Sequence, residues 1–527
     1  MQQQVQTKDR EKIELFFSAR GLANKDVLSD SDPQLYLYLK EGKQGVEKLI
    51  VKTEVKKNNL NPDWKVSVVL DFIFEVNQYL RFLVVDSDGD DIKDDDIIGT
   101  LNTTVGEIMG SRNQIYMGQL SNKNKQTGKL LVKADKRQEI GGLNQLIYWQ
   151  WYGKKIKNMD GWFGVSDPFL RFFKWHKNSD WLMVHETEFI KDNENPIWKG
   201  FEISHDKLHD ENPQQPIKIE LWDNEKDGKH QLIGSVEVTI EQIFFKEIHE
   251  FQVKTPKGEF GGTIGIKSFQ KPSFIDYLKG GEQINLQIAI DFTGSNGDPR
   301  SSSSLHYNVP NQLNQYQNAL SQVAEILLNY DYDKKVPVYG FGGIPSLPNY
   351  NKSSTDDCFP LNGNKKDPEV LGLEGIMNIY KLALNHVQLS GPTVFGPVIE
   401  NAIEIAENNR KKDIYNVLLI MTDGQIYDMD ACIKLVKKAA KLPLSIIIVG
   451  VGNANFKMME ELDGDGPQYA DSLRDVVQFV PFLKFAGQPG QLAKELLSEL
   501  PDQLIQYKQL IGKGPNPAKQ IDLSQLA

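Results

Sequence analysis

Between residues 13 and 120 apolar and polar positions alternate repeatedly, as in IELFF, Leu35-Leu37-Leu39 and Leu80-Phe82-Val84, with turn-forming residues between the runs. A period of two is that of a half-buried strand, and short strands at regular spacing predict an antiparallel β-sandwich. A polar segment, LSNKNKQTG, leads into a second β-patterned region at about 129–269, and the two regions are copies of one another. Ser31-Asp32-Pro33 recurs as Ser166-Asp167-Pro168 after 135 residues, Asn61-Pro62-x-Trp64 as Asn195-Pro196-x-Trp198 after 134, and Ile98-Gly99 as Ile233-Gly234 after 135. Three landmarks in register define a duplicated sandwich. From 280 to 512 the pattern changes: VPVYGFGG, YNVLLIMTDG and LSIIIVGVG read as strands, while 313–328, 398–407 and 433–442 have helical spacing. Strands alternating with helices predict a doubly wound α/β sheet. The last helical stretch, QLAKELLSELPDQLIQYKQLI, contains Pro501, which predicts a break near Glu499. The expected boundaries are 1–122 and 123–272 for the two sandwiches, 273–515 for the α/β domain and 516–527 for a polar tail.

Composition changes this picture little. A chain of 527 residues suits about three domains, and 25 % charged with 40 % hydrophobic residues is ordinary for a globular protein. The net charge of −11 argues against general nucleic-acid binding. Only two cysteines, Cys358 and Cys432, are present and they lie far apart, so a reducing, cytoplasmic setting without a disulfide framework is expected. The start, MQQQVQTKDREKIEL, has no apolar signal core, and the longest apolar run, LPLSIIIVGVG, is too short to span a bilayer. Membrane contact is therefore expected to be peripheral.

The chemistry starts where the apolar run from Ile284 to Ile290 stops at Asp291. Asp291, Thr293 and Ser295 leave the strand end in a D-x-T-x-S pattern, and open parallel sheets bind ligands at that end. One carboxylate and two hydroxyls are hard oxygen donors suited to Mg²⁺ or Mn²⁺. Thr393, ahead of a helical pattern, and Asp423, at the end of YNVLLIMTD, are candidates to complete the set. The competing reading of Asp291 and Thr293 is a helix cap. DFTGSNGDPRSSSSLHY, GPTVFGPVI, VLLIMTDG, VQFVPF and LLSELPDQLIQY follow one another as in the copines, and the chain resembles that family over nearly its whole length. The resemblance implies two C2 modules followed by a von Willebrand factor A-type domain, with the D-x-T-x-S motif in a metal-ion-dependent adhesion site.

In the first copy Asp26 and Asp32 flank one loop, and Asp86, Asp88 and Asp94-Asp95-Asp96 occupy another, resembling the two calcium loops of a C2 module. Seven aspartates against one lysine between Asp86 and Asp96 repel one another unless cations are bound, and a flexible oxygen-rich cavity suits Ca²⁺. An EF-hand fails, because Asp91 stands where the turn glycine belongs and Ile97 where the bidentate glutamate belongs. Asp96, directly before Ile97-Ile98-Gly99, matches the family's anchor; Asp94 matches the shorter spacing from Asp88. The second copy keeps Asp167 and Asp223 but has Glu225 where a second aspartate is expected and Gln231 before Leu232-Ile233-Gly234. Asp160 stands one place too early relative to Asp167, so a weak or empty calcium site is expected unless Asp160 or Asp227 moves in.

Lys52 and Lys56, with Lys48 and Lys57, are candidates for contact with anionic lipid, as are Arg171, Lys174 and Lys177 in the second copy. Trp162 and Phe163, between Asp160 and Asp167, either insert at a membrane interface or fold back onto their own sandwich. There is no G-x-x-x-x-G-K-[ST] loop, no H-E-x-x-H and no zinc-like cluster, and Ser304 with His306 lacks a nucleophile elbow. The expectation is a non-enzymatic adaptor for signalling or membrane trafficking. Ca²⁺ brings it to anionic phospholipid membranes, plasma or internal, through the C2 modules, and an Mg²⁺- or Mn²⁺-bearing domain recruits intracellular proteins. The alternative from another class is an Mg²⁺-dependent phosphotransferase or phosphatase built on Asp291 and Asp423.

Overall fold

A computed structural model describes residues 11–87, 96–137, 146–161, 164–175, 181–208, 214–239, 242–243, 248–268, 273–308, 312–463, 472–488, 490–511, 513 and 515–516. It divides into two compact units, Met1–Gln138 with Ser273–Ala527, and Glu139–Pro272.

The first sandwich comprises β1 (Lys12–Arg20), β2 (Pro33–Glu41), β3 (Lys48–Lys52), β4 (Val68–Asp71), β5 (Gln78–Asp86), β6 (Ile97–Thr104), β7 (Ile115–Asn122) and β8 (Lys125–Lys136). Their order is β3-β2-β5-β6-β7-β8-β1-β4, and β6 meets β7 only at Thr100↔Ser121. The ribbon therefore folds into two four-stranded layers at that point. Leu15, Leu35, Phe82 and Val132 fill the space between the layers without exposure. The expected boundary at 122 is corrected here, because β8 pairs with β1 from Ile13↔Lys136 to Arg20↔Lys129. The polar LSNKNKQTG stretch is a hairpin, with Lys123 and Asn124 at φ 48° and 64°, as a two-residue turn between twisted strands requires.

The second unit repeats the plan with β9 (Leu146–Lys154), β10 (Pro168–Trp175), β11 (Trp181–Glu186), β12 (Phe201–Ser204), β13 (Pro216–Asp223), β14 (Gln231–Thr239), β15 (Glu250–Lys254) and β16 (Phe260–Ser268). Strand order is the same, position for position, with β14 meeting β15 at Ser235↔Lys254. The repeated landmarks have structural causes. Gly99 and Gly234 lie where the layers join: a Cβ on Gly234 would stand 2.3 Å from the Lys254 carbonyl oxygen, and one on Gly99 2.3 Å from Thr127 Oγ1. Trp64 and Trp198 are buried and donate to the Pro33 and Pro168 carbonyls at 3.4 and 3.0 Å.

The α/β part of the first unit is built on β17 (Gln283–Asp291) and β18 (Lys335–Phe341), with parallel strands Ile414–Thr422, Leu444–Gly450 and Val477–Pro481. Sheet order is Phe359–Pro360, β18, β17, Ile414–Thr422, Leu444–Gly450, Val477–Pro481, with only the short first strand antiparallel along this path. Ile288 and Ile290 pack with helices Gln315–Leu327 and Gln491–Leu497 on one face. Ala289, Leu418 and Ile420 pack with Gly396–Asn409 and Met429–Ala439 on the other, so the sheet is doubly wound as expected. The break near Glu499 is also observed: one helix ends at Leu497 and Leu500–Leu510 starts anew with Pro501 in its first turn. Within this unit sandwich and α/β domain share one apolar core, where Phe74 meets Phe274 and Tyr330 at centroid distances of 4.8 and 4.9 Å.

Candidate metal centres

Chain reversal puts β17 between β18 and Ile414–Thr422, so the carboxyl ends of β17 and the latter strand open at the switch point of the sheet. Asp291 and Asp423 stand at those ends, 0 % and 6 % exposed. Thr293 donates to Asp291 Oδ1 through its backbone N–H at 2.7 Å and its hydroxyl at 2.6 Å, and Thr422 Oγ1 donates to Asp291 Oδ2 at 2.6 Å. Ser295 Oγ lies 3.0 Å from Thr293 Oγ1 and donates to Asp423 Oδ1 at 2.8 Å. A Cβ on Gly424 would stand 3.1 Å from Thr393 Oγ1 and 3.8 Å from Ser295 Oγ, so the Thr393 hydroxyl faces the same cluster and glycine keeps it open. All five expected residues converge.

Burial pushes the Asp291 carboxyl up from its ordinary value, and burial followed by the Asp291 charge pushes Asp423 up to about 7. Among the described residues no lysine or arginine bonds either carboxylate. Two buried carboxylates and three hydroxyls form a hard oxygen set that fits Mg²⁺ or Mn²⁺. A helix cap does not account for it, since Thr293 caps only a three-residue turn without a side-chain bond.

Sequence reasoning missed the scaffold behind this set. Asn296 Nδ2 reaches Asp423 Oδ1 at 3.0 Å and Asp291 Oδ1 at 3.3 Å, while its side-chain Oδ1 accepts the Tyr316 hydroxyl at 2.7 Å. His306 is fully buried, 3.0 Å from the Asp291 carbonyl and 2.8 Å from Tyr380 Oη, and burial lowers its pKa to about 3. It is a neutral strut, and Ser304 bonds the carbonyls of Asn296 and Gly297 at 3.0 and 2.9 Å. The only signals were adjacency, Asn296 beside Ser295 and Thr422 beside Asp423.

The loops at one end of each sandwich are built alike. In the first, Asp86 Oδ1 accepts the Asp32 N–H at 2.6 Å and Asp32 Oδ1 accepts the Asn58 N–H at 2.7 Å. In the second, Asp223 Oδ1 accepts the Asp167 N–H at 2.6 Å and Asp167 Oδ1 the Asp192 N–H at 2.7 Å. Asp86 and Asp223 are 3 % and 1 % exposed, and the Oδ2 atom of each is buried with no hydrogen-bond partner among the described residues. A buried carboxylate oxygen left unpaired is costly, and a cation removes the cost. Asp96 stands beside Asp86, its backbone carbonyl accepting the Asp86 N–H at 2.8 Å. Asp88 and Asp94 lie outside the described residues.

Asp160 is not out of place. Its N–H bonds Asn158 Oδ1 at 3.0 Å, as the Asp26 N–H bonds Asn24 Oδ1 at 3.2 Å, and Met159 and Lys25 both donate to the loop serine at 2.8 Å. The second loop is one residue longer between that aspartate and Asp167, which count alone misread. Asp160, Asp223 and Glu225 bring carboxylate oxygens within 4.8 Å of one another. Burial, then the charges of Asp223 and Glu225, raise the Asp160 pKa. Gln231 Nε2 holds Glu225 Oε1 at 2.6 Å, and Asp227 instead accepts the Lys229 N–H at 3.0 Å.

Of the proposed lipid contacts, Lys52 is exposed and lies 5.1 Å over the Tyr36 ring, while Lys56 is half-buried and pairs with Glu54 at 3.0 Å. Trp162 and Phe163 lie outside the described residues. The first loop offers an apolar tip that the sequence reading passed over: Val27 and Leu28, between Asp26 and Asp32, are 96 % and 100 % exposed.

The fold and these sites define a protein of two C2 modules and a von Willebrand factor A-like α/β domain. A C2 domain model matches residues 15–120 and 145–255, and a copine model matches residues 304–516. Copine-E of Dictyostelium discoideum is 37 % identical over 96 % of this chain and 88 % of its own length, and Copine-C of the same organism is 35 % identical over 97 % of each. Among solved structures, BON1-C2B is 25 % identical over 24 % of this chain and 92 % of its own, with a TM-score of 0.22. The chain belongs to the copine family. It is a binding and adaptor protein directed to calcium and membranes, not an enzyme. No described helix is long and apolar enough to cross a membrane.

Proposed function

We propose that the chain is a cytoplasmic adaptor in signalling or trafficking that docks on anionic phospholipid when calcium rises and recruits partner proteins through the metal-bearing face of its α/β domain. The observation that carries the calcium half is the repeated, buried and unpartnered Oδ2 of Asp86 and Asp223. Each belongs to a module whose sequence is rich in aspartate and glutamate near it, so Ca²⁺ would supply the missing partner and relieve the repulsion among those carboxylates. Asp26, Asp32, Asp86, Asp88 and Asp96 hold Ca²⁺ in the first module, with Asp94 as the alternative closing ligand. Asp160, Asp167, Asp223 and Glu225 hold it in the second, more weakly because a glutamate and a neutral glutamine replace aspartates. Val27 and Leu28 then enter the lipid, with Lys52 at the headgroups.

In the α/β domain Asp291, Thr293, Ser295, Thr393 and Asp423 hold Mg²⁺ or Mn²⁺. Those five residues would hold the ion from one side, and the ion would supply a Lewis-acid contact for a carboxylate from a partner. The deciding experiment is sedimentation of the full chain with phosphatidylserine liposomes across a calcium titration. Asp86→Asn keeps the oxygen that accepts the Asp32 N–H and removes the charge. Half-maximal binding is expected to need about tenfold more calcium or to be lost; an unchanged curve overturns the sensor assignment.

A further inference from the structure

The metal loop borders a groove of 640 Å³ that neither the metal set nor the calcium loops use. One wall is Gly294, Gly297 and Arg300 from the loop after Asp291; the other is the short strand Val387–Leu389. That strand is the last in a three-stranded sheet and, in the described ladders, pairs only with Gly343–Leu347. It runs straight into Ser390, whose carbonyl accepts the Gly294 N–H at 2.7 Å, so strand edge and metal loop are continuous. Val387 is buried and Leu389 half-buried, which gives the groove an apolar floor beside a backbone edge. Extended peptides use such edges, with main-chain bonds for affinity and side-chain pockets for specificity.

Charge narrows the occupant. Lys381 lines the groove, is exposed, and has no ion pair among the described residues. Arg300 is 90 % exposed and pairs with Asp298, itself 49 % exposed, at 2.7 Å. An exposed pair of this kind is worth little and exchanges readily for another carboxylate. Two cations against one aspartate among the lining residues give the groove a net positive charge.

We propose that this groove holds an extended segment of the recruited protein, placing an apolar side chain over Val387 and Leu389 and a second acidic side chain against Lys381 and Arg300. The inference rests on the proposed recruitment of a partner carboxylate by the metal site, and names the partner as a peptide with two acidic residues flanking an apolar one.

The test pans a phage-displayed library of short random peptides, each with one fixed aspartate, on the full chain in Mg²⁺ with EDTA elution. Peptides from the wild type are expected to share a second Asp or Glu, and the paired Lys381→Glu, Arg300→Glu variant to select Lys or Arg there. That variant should bind the wild-type peptides about tenfold more weakly. Lys381→Ala with Arg300→Ala, a milder change at exposed positions, should lose the acidic preference without gaining a basic one. The same sequences from wild type and variants, or no enrichment on the wild type, overturn the proposal. Asp291→Ala separates the two readings: loss of capture there supports the metal site whatever the charge preference. Capture unchanged by Asp291→Ala defeats the metal reading, and the charge variants still decide the groove.

Discussion

Asp423 carries the sharpest single-residue consequence, because its carboxyl is pushed from an ordinary 3.8 up to about 7 by burial and by Asp291. With the folded value above the unfolded one, the metal-free fold holds a proton that the unfolded chain has lost between those limits. Its contribution to stability is therefore largest at low pH and declines as pH rises through about 7. A divalent ion must displace that proton, so its apparent affinity falls below about pH 7, by about tenfold for each pH unit. Titration of the full chain with Mn²⁺, followed by loss of the free-ion resonance at about pH 8 and about pH 5.5, checks this. Equal affinities at both would show that Asp423 is ionised before the metal arrives. Val27 and Leu28 make the other residue-scale case. Single exposed apolar side chains are ordinary, but two consecutive ones at 96 % and 100 % exposure stand between Asp26 and Asp32, and under the proposed function they insert into lipid. Replacing both with serine removes about 2 kcal/mol or more of burial in lipid, enough for a roughly thirtyfold loss of liposome affinity in calcium. The thermal midpoint should not move, since neither side chain packs against the sandwich; a lower midpoint with unchanged liposome binding would place them in the fold instead.

At the level of elements, what could be read in advance was whatever depends on local pattern. Alternation revealed the strands, the offsets of 134 and 135 residues revealed the duplication, and Pro501 marked the helix break. That Asp291 and Asp423 stand together could be read ahead because an aspartate ending a strand has a fixed place in a parallel sheet, and Thr293 and Ser295 follow Asp291 directly. Misreadings came where geometry is not local. LSNKNKQTG is polar like a linker, but only the pairing of β8 with β1 shows that it turns a hairpin inside the first sandwich. Asp160 looked displaced because residues were counted from Asp167, whereas the structure registers that loop on Asn158 and Ser166, a stretch one residue longer in sequence than Asn24 to Ser31. Asn296 and Tyr316 were invisible as a pair, since their 2.7 Å bond joins a loop to a helix twenty residues on. Gly99 and Gly234 were useful as repeat markers before their cause was apparent, which is the close approach of two layers.

For the molecule as a whole, the consequential feature is the core shared by the first sandwich and the α/β domain. Phe74 is 4 % exposed and sits between Phe274 and Tyr330, while a Cβ on Gly110 would stand 1.8 Å from the Asn329 carbonyl oxygen. Polar ties surround it: Gln114 Nε2 donates to the Leu278 carbonyl at 3.0 Å, Lys136 bonds Asp276 at 2.7 Å, and Lys279 bonds Asp135 at 3.1 Å. The first sandwich, with the loops that carry Asp26, Asp32 and Asp86, and the α/β domain, with Asp291 and Asp423, thus belong to one compact unit. Under the proposed function, docking those loops on a membrane would fix the orientation in which the Asp291 and Asp423 face is presented. If the core is shared, Phe74→Ala should destabilise both parts together, by about 3–5 kcal/mol for a buried phenylalanine. Native-state hydrogen exchange resolves this by peptide: amides of β5 and of the strand Ile414–Thr422 should lose protection in parallel in the variant. Faster exchange confined to β5, with Ile414–Thr422 unchanged, would mean that the sandwich opens by itself and that the aromatic contact is only a dock. In that case loop binding could not set the direction of the metal face, and recruitment would be insensitive to the way the first module sits on lipid.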